Sequence, residues 1–311
     1  MFSPGMRRDS RPARIPRAVP HTLFVVVASI GFGTVPIFAR GLSDAGMSAP
    51  TIAFYRYLTA ALVLLPFLLR LGREHRAAVA WGTGSGAVMG LGWIGYVSAL
   101  EAAPVAAVGV FYMSYPVFTL LIGWGVFGDR PGRRAALGAA LILAAVLAAA
   151  PSDGEPISAW AILAALAAPF GFGCAINVLT RKLAGVPPLS LMAIVSGGAV
   201  LGLSPLVVLV DGAGVLPSSV DEDVLILGVT VATALLPQLL YVVHAPAIGP
   251  TRTAMAGSVE LPTMFAVGWL MFGEALTFKQ VAAGALVLMA IVVTPTRRVQ
   301  NVTSRLTDVP E

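Results

Sequence analysis

The chain has 311 residues, 57% hydrophobic and 11% charged, with a mean hydropathy of +0.87. That balance excludes an ordinary soluble domain and reads as an all-α, polytopic membrane protein. The net charge of +5 follows from where the arginines fall in the loops, so no nucleic-acid partner is expected.

Residues 1–18 carry Arg7, Arg8, Arg11, Arg14 and Arg17 among prolines and serines, a basic tail. A signal peptide fits less well. The apolar run from Val19 continues through Phe38, and no small-residue cleavage site follows. A crossing takes roughly 20 residues. Ten spans are predicted, at 20–39, 49–69, 77–100, 104–127, 135–150, 157–180, 187–210, 224–243, 252–272 and 279–295. They use nearly the whole chain and leave little for a soluble domain. Ser48 with Pro50 marks the start of span 2, and Asp129 with Pro131 the start of span 5. Thr277 with Gln280 forms a capping-box pattern before span 10. Pro151 and Pro295 close spans 5 and 10.

Ten spans put both ends on one face. On that face fall 17 of the 20 basic residues; Arg40 and Lys279 lie elsewhere and Arg56 lies within a span. The positive-inside rule therefore predicts cytoplasmic termini, with tails at 1–18 and 297–311. The opposite loops are acidic, with Asp44, Asp153, Glu155, Asp211, Asp221, Glu222 and Asp223. The bias toward Ala, Gly and Arg points to a bacterial inner membrane.

The halves repeat. Gly31-Phe32-Gly33 matches Gly171-Phe172-Gly173, and Tyr96 matches Tyr241. Pro104 and Pro116 match Pro250 and Pro262. Gly123-Trp124 and Phe127-Gly128-Asp129 match Gly268-Trp269 and Phe272-Gly273-Glu274. Five spans is an odd number, so the second copy must insert upside down relative to the first. Inverted repeats are an architecture of alternating-access carriers. The expected units are 19–151 and 155–296.

These pieces, with Phe54 to Leu62 in span 2, resemble the EamA-type members of the drug/metabolite transporter superfamily. The two-copy layout covers roughly residues 20–296. The resemblance implies a ten-helix, inverted-repeat carrier, commonly exporting amino acids, related metabolites or toxic compounds. Asp129 departs from the pattern, where the second copy has Glu274.

Two charges lie inside predicted spans. Glu260 sits in the stretch 250–274, two residues before Pro262. A carboxylate at bilayer depth is costly and should face a protein interior or watery cavity. Proline opens the helical ladder beside it. Arg56 lies in span 2. Glu260 would bind a proton or a substrate ammonium, and Arg56 a carboxylate. The plain alternative is a structural ion pair between the halves. Gln238, Tyr241 and His244, three apart, share a broad side of span 8; His244 is a candidate proton shuttle or, more plainly, sits at the cytoplasmic interface near the end of that span. Trp93, Tyr96, Tyr112 and Tyr115, with Phe111, would suit an aromatic or amphipathic substrate if they line a cavity; helix packing explains them equally. Asn177 is expected to hydrogen-bond a neighbouring helix, and Gly82, Gly86 and Gly90 to form a close packing face. The glycines at 31–33 and 171–173 are either bend points or packing positions.

Neither Lys182 nor Lys279 follows a phosphate-loop pattern. His21, His75 and His244 are scattered without zinc spacing, and no Gly-x-Ser-x-Gly elbow occurs. Cys174 stands alone, so no disulfide forms within the chain. No cofactor or metal is predicted. The sequence thus points to a secondary transporter rather than an enzyme. It would move a small amphipathic metabolite, an amino acid or related compound, outward by alternating access, through proton antiport or facilitated diffusion. The alternatives are a proton-coupled multidrug exporter and, in other classes, a passive channel or a membrane-embedded enzyme.

Overall fold

The computed structural model describes residues 19–128, 130–149, 157–183, 185–212, 216–217, 219–257 and 259–293, and these contain helices and no strands. In order they are α1 Val19–Gly33, α2 Val35–Asp44, α3 Ala49–Leu69, α4 Arg76–Ala102, α5 Val105–Tyr112, α6 Tyr115–Gly125, α7 Arg133–Ala149, α8 Ala159–Lys182, α9 Pro188–Val210, α10 Val220–Leu227, a π-helical segment Gly228–Leu235, α11 Leu236–Gly257, α12 Glu260–Phe272 and α13 Phe278–Val293. The cap expected at Asp129, both tails, and the stops at Pro151 and Pro295 lie outside the described residues.

Among the described residues, six helical stretches are long and apolar enough to cross a membrane: His21–Asp44, Ala49–Leu69, Val105–Gly125, Ala159–Leu179, Pro188–Val210 and Val220–His244. Glu260–Phe272 and Phe278–Ala290 are shorter apolar helices. Leu62, Leu121, Leu163, Leu201 and Trp269 are all exposed. Apolar surface of that extent is what lipid covers.

Local sequence sets several helix starts. Ser48 accepts from the Thr51 amide ahead of α3. Thr277 and Gln280 make both bonds of the capping box before α13. Ser158 caps α8 through the Ala161 amide, a start the sequence reading missed.

Three predicted spans are not single helices. The first breaks at Thr34, the fourth at Met113 and Ser114, and the ninth between Gly257 and Glu260. Each break lies shortly before a proline: Pro36, Pro116 or Pro262. A proline in a helix's first turn gives up an amide that had no partner there. The stretch 250–274 is therefore not one helix. Its first part continues α11, and Glu260 opens α12. Span 8 is longer than predicted for the same reason. Pro66, Pro169 and Pro205 lie inside unbroken helices, so proline alone does not decide where a break falls.

The core forms where these helices cross. Gly82, Gly86 and Gly90 of α4 admit Ile194, the Val195 carbonyl and Ala199 of α9. Gly33 of α1 faces Thr263 and the Glu260 carbonyl, and Gly173 of α8 faces Phe118 and Thr119. These two glycines are packing positions within continuous contacts. Asn177 donates to the Thr119 carbonyl of α6 at 2.9 Å, as expected.

Candidate functional site

Arg56 is 6% exposed, in the middle of α3. Its guanidinium lies 3.9 Å over the Trp93 ring of α4. Its Nη1 donates to Thr233 Oγ1 at 2.6 Å. Its Nε is buried without a hydrogen-bond partner. A buried cation is normally matched by a carboxylate, and among the described residues none forms an ion pair with this one.

Trp93 begins an aromatic wall. It meets Tyr96 edge-on, with ring centroids 4.7 Å apart, and Tyr112 at 6.3 Å. Tyr96 and Tyr112 lie 5.6 Å apart, and Tyr112 leads to Tyr115 at 6.1 Å. Phe172 of α8 closes the row, 5.1 Å from Tyr115. Such contacts lock ring orientation. Trp93, Tyr96 and Tyr112 are buried, whereas Tyr115 and Phe172 are only half-buried.

Glu260 reaches this wall from α12. It lies within electrostatic range of Tyr96, Tyr112, Tyr115 and Tyr241, and of Arg56. Protein surrounds it, yet it keeps accessible surface. Arg56 and Glu260 form no ion pair among the described residues, so the structural ion pair considered from sequence is not made. The same region holds Ser114, at the break between α5 and α6. The residue is 3% exposed, and its hydroxyl is buried without a hydrogen-bond partner among the described residues.

Thr233 and Ser114 escaped the sequence reading. The only hint for Ser114 was the neighbouring Pro116. Nothing in the run 228–235 announces a π-helical turn, although such turns recur at functional sites.

The Gln238, Tyr241 and His244 face divides. Tyr241 packs edge-on to Phe32 at 6.1 Å and stays near Glu260. Gln238 is half-buried one turn earlier in α11. His244 belongs elsewhere. Its Nδ1 is 2.9 Å from that of His21, and its ring stacks on Phe24 at 4.4 Å. Glu260 instead approaches α1 at Gly33. Twelve residues of helix separate His21 from Gly33, about 18 Å. His244 thus lies at the His21 end of α1, about 18 Å from the Gly33 end that meets the Glu260 backbone.

Comparison with known proteins now bears on this geometry. Residues 20–150 match the EamA-like transporter family. That stretch carries an EamA-like unit. The chain is 28% identical over 298 residues to a riboflavin transporter of Rhizobium johnstonii, covering 92% of this chain and 94% of that one. A solved crystal structure with 17% sequence identity superposes with a TM-score of 0.57, covering 94% of this chain and 99% of that one. This likeness concerns fold alone. The matched segment supplies Arg56 and the wall from Trp93 to Tyr115. Thr233, Tyr241 and Glu260 come from the part beyond it.

Proposed function

We propose that this multi-pass membrane protein is a secondary transporter. It carries a small amphipathic metabolite with a planar ring across the bacterial inner membrane by alternating access. The substrate sits between Arg56 and Glu260, against Trp93, Tyr96, Tyr112 and Tyr115, with Gln238 and Tyr241 at its edge. One observation carries this reading: two opposite charges are enclosed within range of each other and form no ion pair among the described residues. Leaving them so is costly unless a ligand completes the set.

The architecture proposed is ten crossings in two inverted units, 19–151 and 155–296, with cytoplasmic ends. Helix pairing supports it. Counting α5 with α6 as one crossing and the π-helical segment with α11 as another, α4 packs on α8 as α11 packs on α1. Likewise α6 packs on α8 as α12 packs on α1, and α4 packs on α9 as the π-helical segment packs on α3. The breaks before Pro116 and Pro262 also correspond. Discontinuous helices at a repeat interface commonly build carrier sites.

An amino acid fits through its carboxylate on Arg56 and its ammonium on Glu260. The aromatic wall, together with the riboflavin transporter among its relatives, favours a flavin-like ring as a second reading. Export is the direction the family resemblance supplies. Protons are the proposed coupling ion, through Glu260.

Purified protein in proteoliposomes, loaded with unlabelled compound and offered labelled tryptophan, riboflavin or a cationic dye, tests the proposal. A carrier gives transient counterflow of at least one of them. Flux without counterflow would identify a channel and overturn the carrier reading.

A further inference from the structure

We infer that Thr233 is the positioning residue that aims Arg56 at the substrate. The inference rests on the reading of Arg56 as a substrate anchor. It deepens that reading by naming what fixes the anchor's direction, and so the class of substrate the site prefers.

Thr233 is fully buried in the π-helical segment. Its hydroxyl has one proton, and that proton is committed: Oγ1 donates to the Val229 carbonyl at 2.6 Å. Arg56 is a donor only. The Nη1 contact at 2.6 Å therefore has one possible direction, from guanidinium to hydroxyl. The chain Arg56 Nη1–H to Thr233 O–H to Val229 C=O leaves no alternative tautomer or rotor. Trp93 fixes the plane of the guanidinium from the other side, at 3.9 Å. Two contacts on different helices thus set both tilt and rotation.

What they leave unmet is as informative. Among the described residues no carboxylate forms an ion pair with this buried cation, and Nε has no partner. The rings beside it are apolar, and Thr233 supplies one neutral acceptor. The missing component is an acceptor with negative or strongly polar character. The substrate class is accordingly a ring-bearing compound with a carboxylate or carbonyl edge, such as an aromatic amino acid or a flavin. Ring-bearing amines without such an edge should be poor substrates.

Thr233→Val removes the hydroxyl at nearly constant shape, while Thr233→Ser keeps it. Counterflow of labelled tryptophan, riboflavin and tryptamine is measured for both, and for Arg56→Gln. Loss of a hydrogen bond to a charged group predicts a KM for tryptophan or riboflavin raised about tenfold in Thr233→Val. Maximal rate should change little, and Thr233→Ser should return KM toward the starting value. In an Arg56→Gln background, Thr233→Val should add nothing further. A second readout needs no transport: the Trp93 fluorescence, taken as the difference from Trp93→Phe, should shift in Thr233→Val and not in Thr233→Ser. Effects of Thr233→Val and Arg56→Gln that simply add would overturn the inference. So would an unchanged Trp93 signal in Thr233→Val. If the unaltered protein shows counterflow but Arg56→Gln keeps normal KM for every compound, the anchor reading fails first.

Discussion

Arg40 and Glu274, 234 residues apart in sequence, meet at 3.1 Å. Arg40 also donates to the Leu100 carbonyl at 2.9 Å and the Ala103 carbonyl at 2.8 Å, and lies 4.5 Å over Phe272. Glu274 accepts from the amides of Val105, at 2.8 Å, and Ala106, at 3.2 Å. The pair joins α2, the end of α4, the start of α5 and the end of α12. An acid at a helix N-terminus and an arginine on terminal carbonyls each satisfy backbone groups left over by the helices. Gly273 makes this possible. Its left-handed φ of 65° turns the chain so that the Glu274 amide reaches the Gly268 carbonyl at 3.0 Å.

Arg40→Ala should therefore destabilise the protein by about 2–4 kcal/mol, because it strips three acceptors and leaves a partly buried carboxylate unpaired. Arg40→Lys should cost less but not nothing, since an ammonium cannot reproduce the guanidinium fork. Thermal unfolding in detergent measures both. An Arg40→Ala midpoint equal to the unaltered protein's would contradict the account.

The second prediction concerns close helix contact. A methyl at Gly33 would come within 2.6 Å of Thr263 Cβ and 2.9 Å of the Glu260 carbonyl, and one at Gly173 within 2.9 Å of the Thr119 amide. Gly33→Ala and Gly173→Ala should each cost about 1–3 kcal/mol by overpacking. Gly84→Ala and Gly197→Ala, where nothing lies within 4 Å, should be neutral or slightly stabilising. The four variants compared in one unfolding assay test whether packing, rather than glycine's helix propensity, sets the difference.

Much of this was readable from residue order and some was not. Ser48, Thr277 and Gln280 announced helix starts because capping is local chemistry. Span limits such as 49–69 followed from apolar length. The opening beside Pro262 was legible from the proline, but which other prolines break a helix was not, because Pro36 and Pro116 look no different in sequence from Pro66, Pro169 and Pro205. What separates them is the packing around each, which is set by distant segments. Arg56 and Glu260 stood out as charges within apolar runs. Thr233 did not, since its partner lies 177 residues away and the π-helical register shifts which side it faces. His244 lies apart from Tyr241 for a geometric reason. A spacing of three keeps Gln238, Tyr241 and His244 on one side of the helix. It also carries them about 9 Å along the axis, away from the carboxylate.

Orientation supplies the third prediction. In a Cys174→Ala background, cysteines placed at Ala45 and Leu216 should be modified by an impermeant thiol reagent added outside intact cells. Cysteines at Glu74 and Gly132 should react only after the membrane is opened. All four positions are exposed. The pattern follows from ten crossings with cytoplasmic ends. Labelling of Glu74→Cys from outside would break both the count and the inversion of the second unit.

The fourth prediction separates proton coupling from simple facilitated movement. Glu260 opens α12 after a helix break, enclosed by protein and yet partly accessible. Arg56 is the opposite charge in its range, and the two do not touch. A carboxylate so placed can exchange a proton with whichever side the carrier faces. Glu260→Gln keeps the shape and loses that proton. Counterflow under equal pH on both sides should persist, because it requires only binding and alternation. Accumulation driven by a pH gradient should fall to the level seen without a gradient. If gradient-driven accumulation is unchanged in Glu260→Gln, Glu260 is not the proton carrier, and its place beside the aromatic wall is then that of a substrate ligand alone. If counterflow is lost as well, the carboxylate is needed for binding itself, and a competition assay with amine-bearing and amine-free substrates decides whether it pairs with an ammonium.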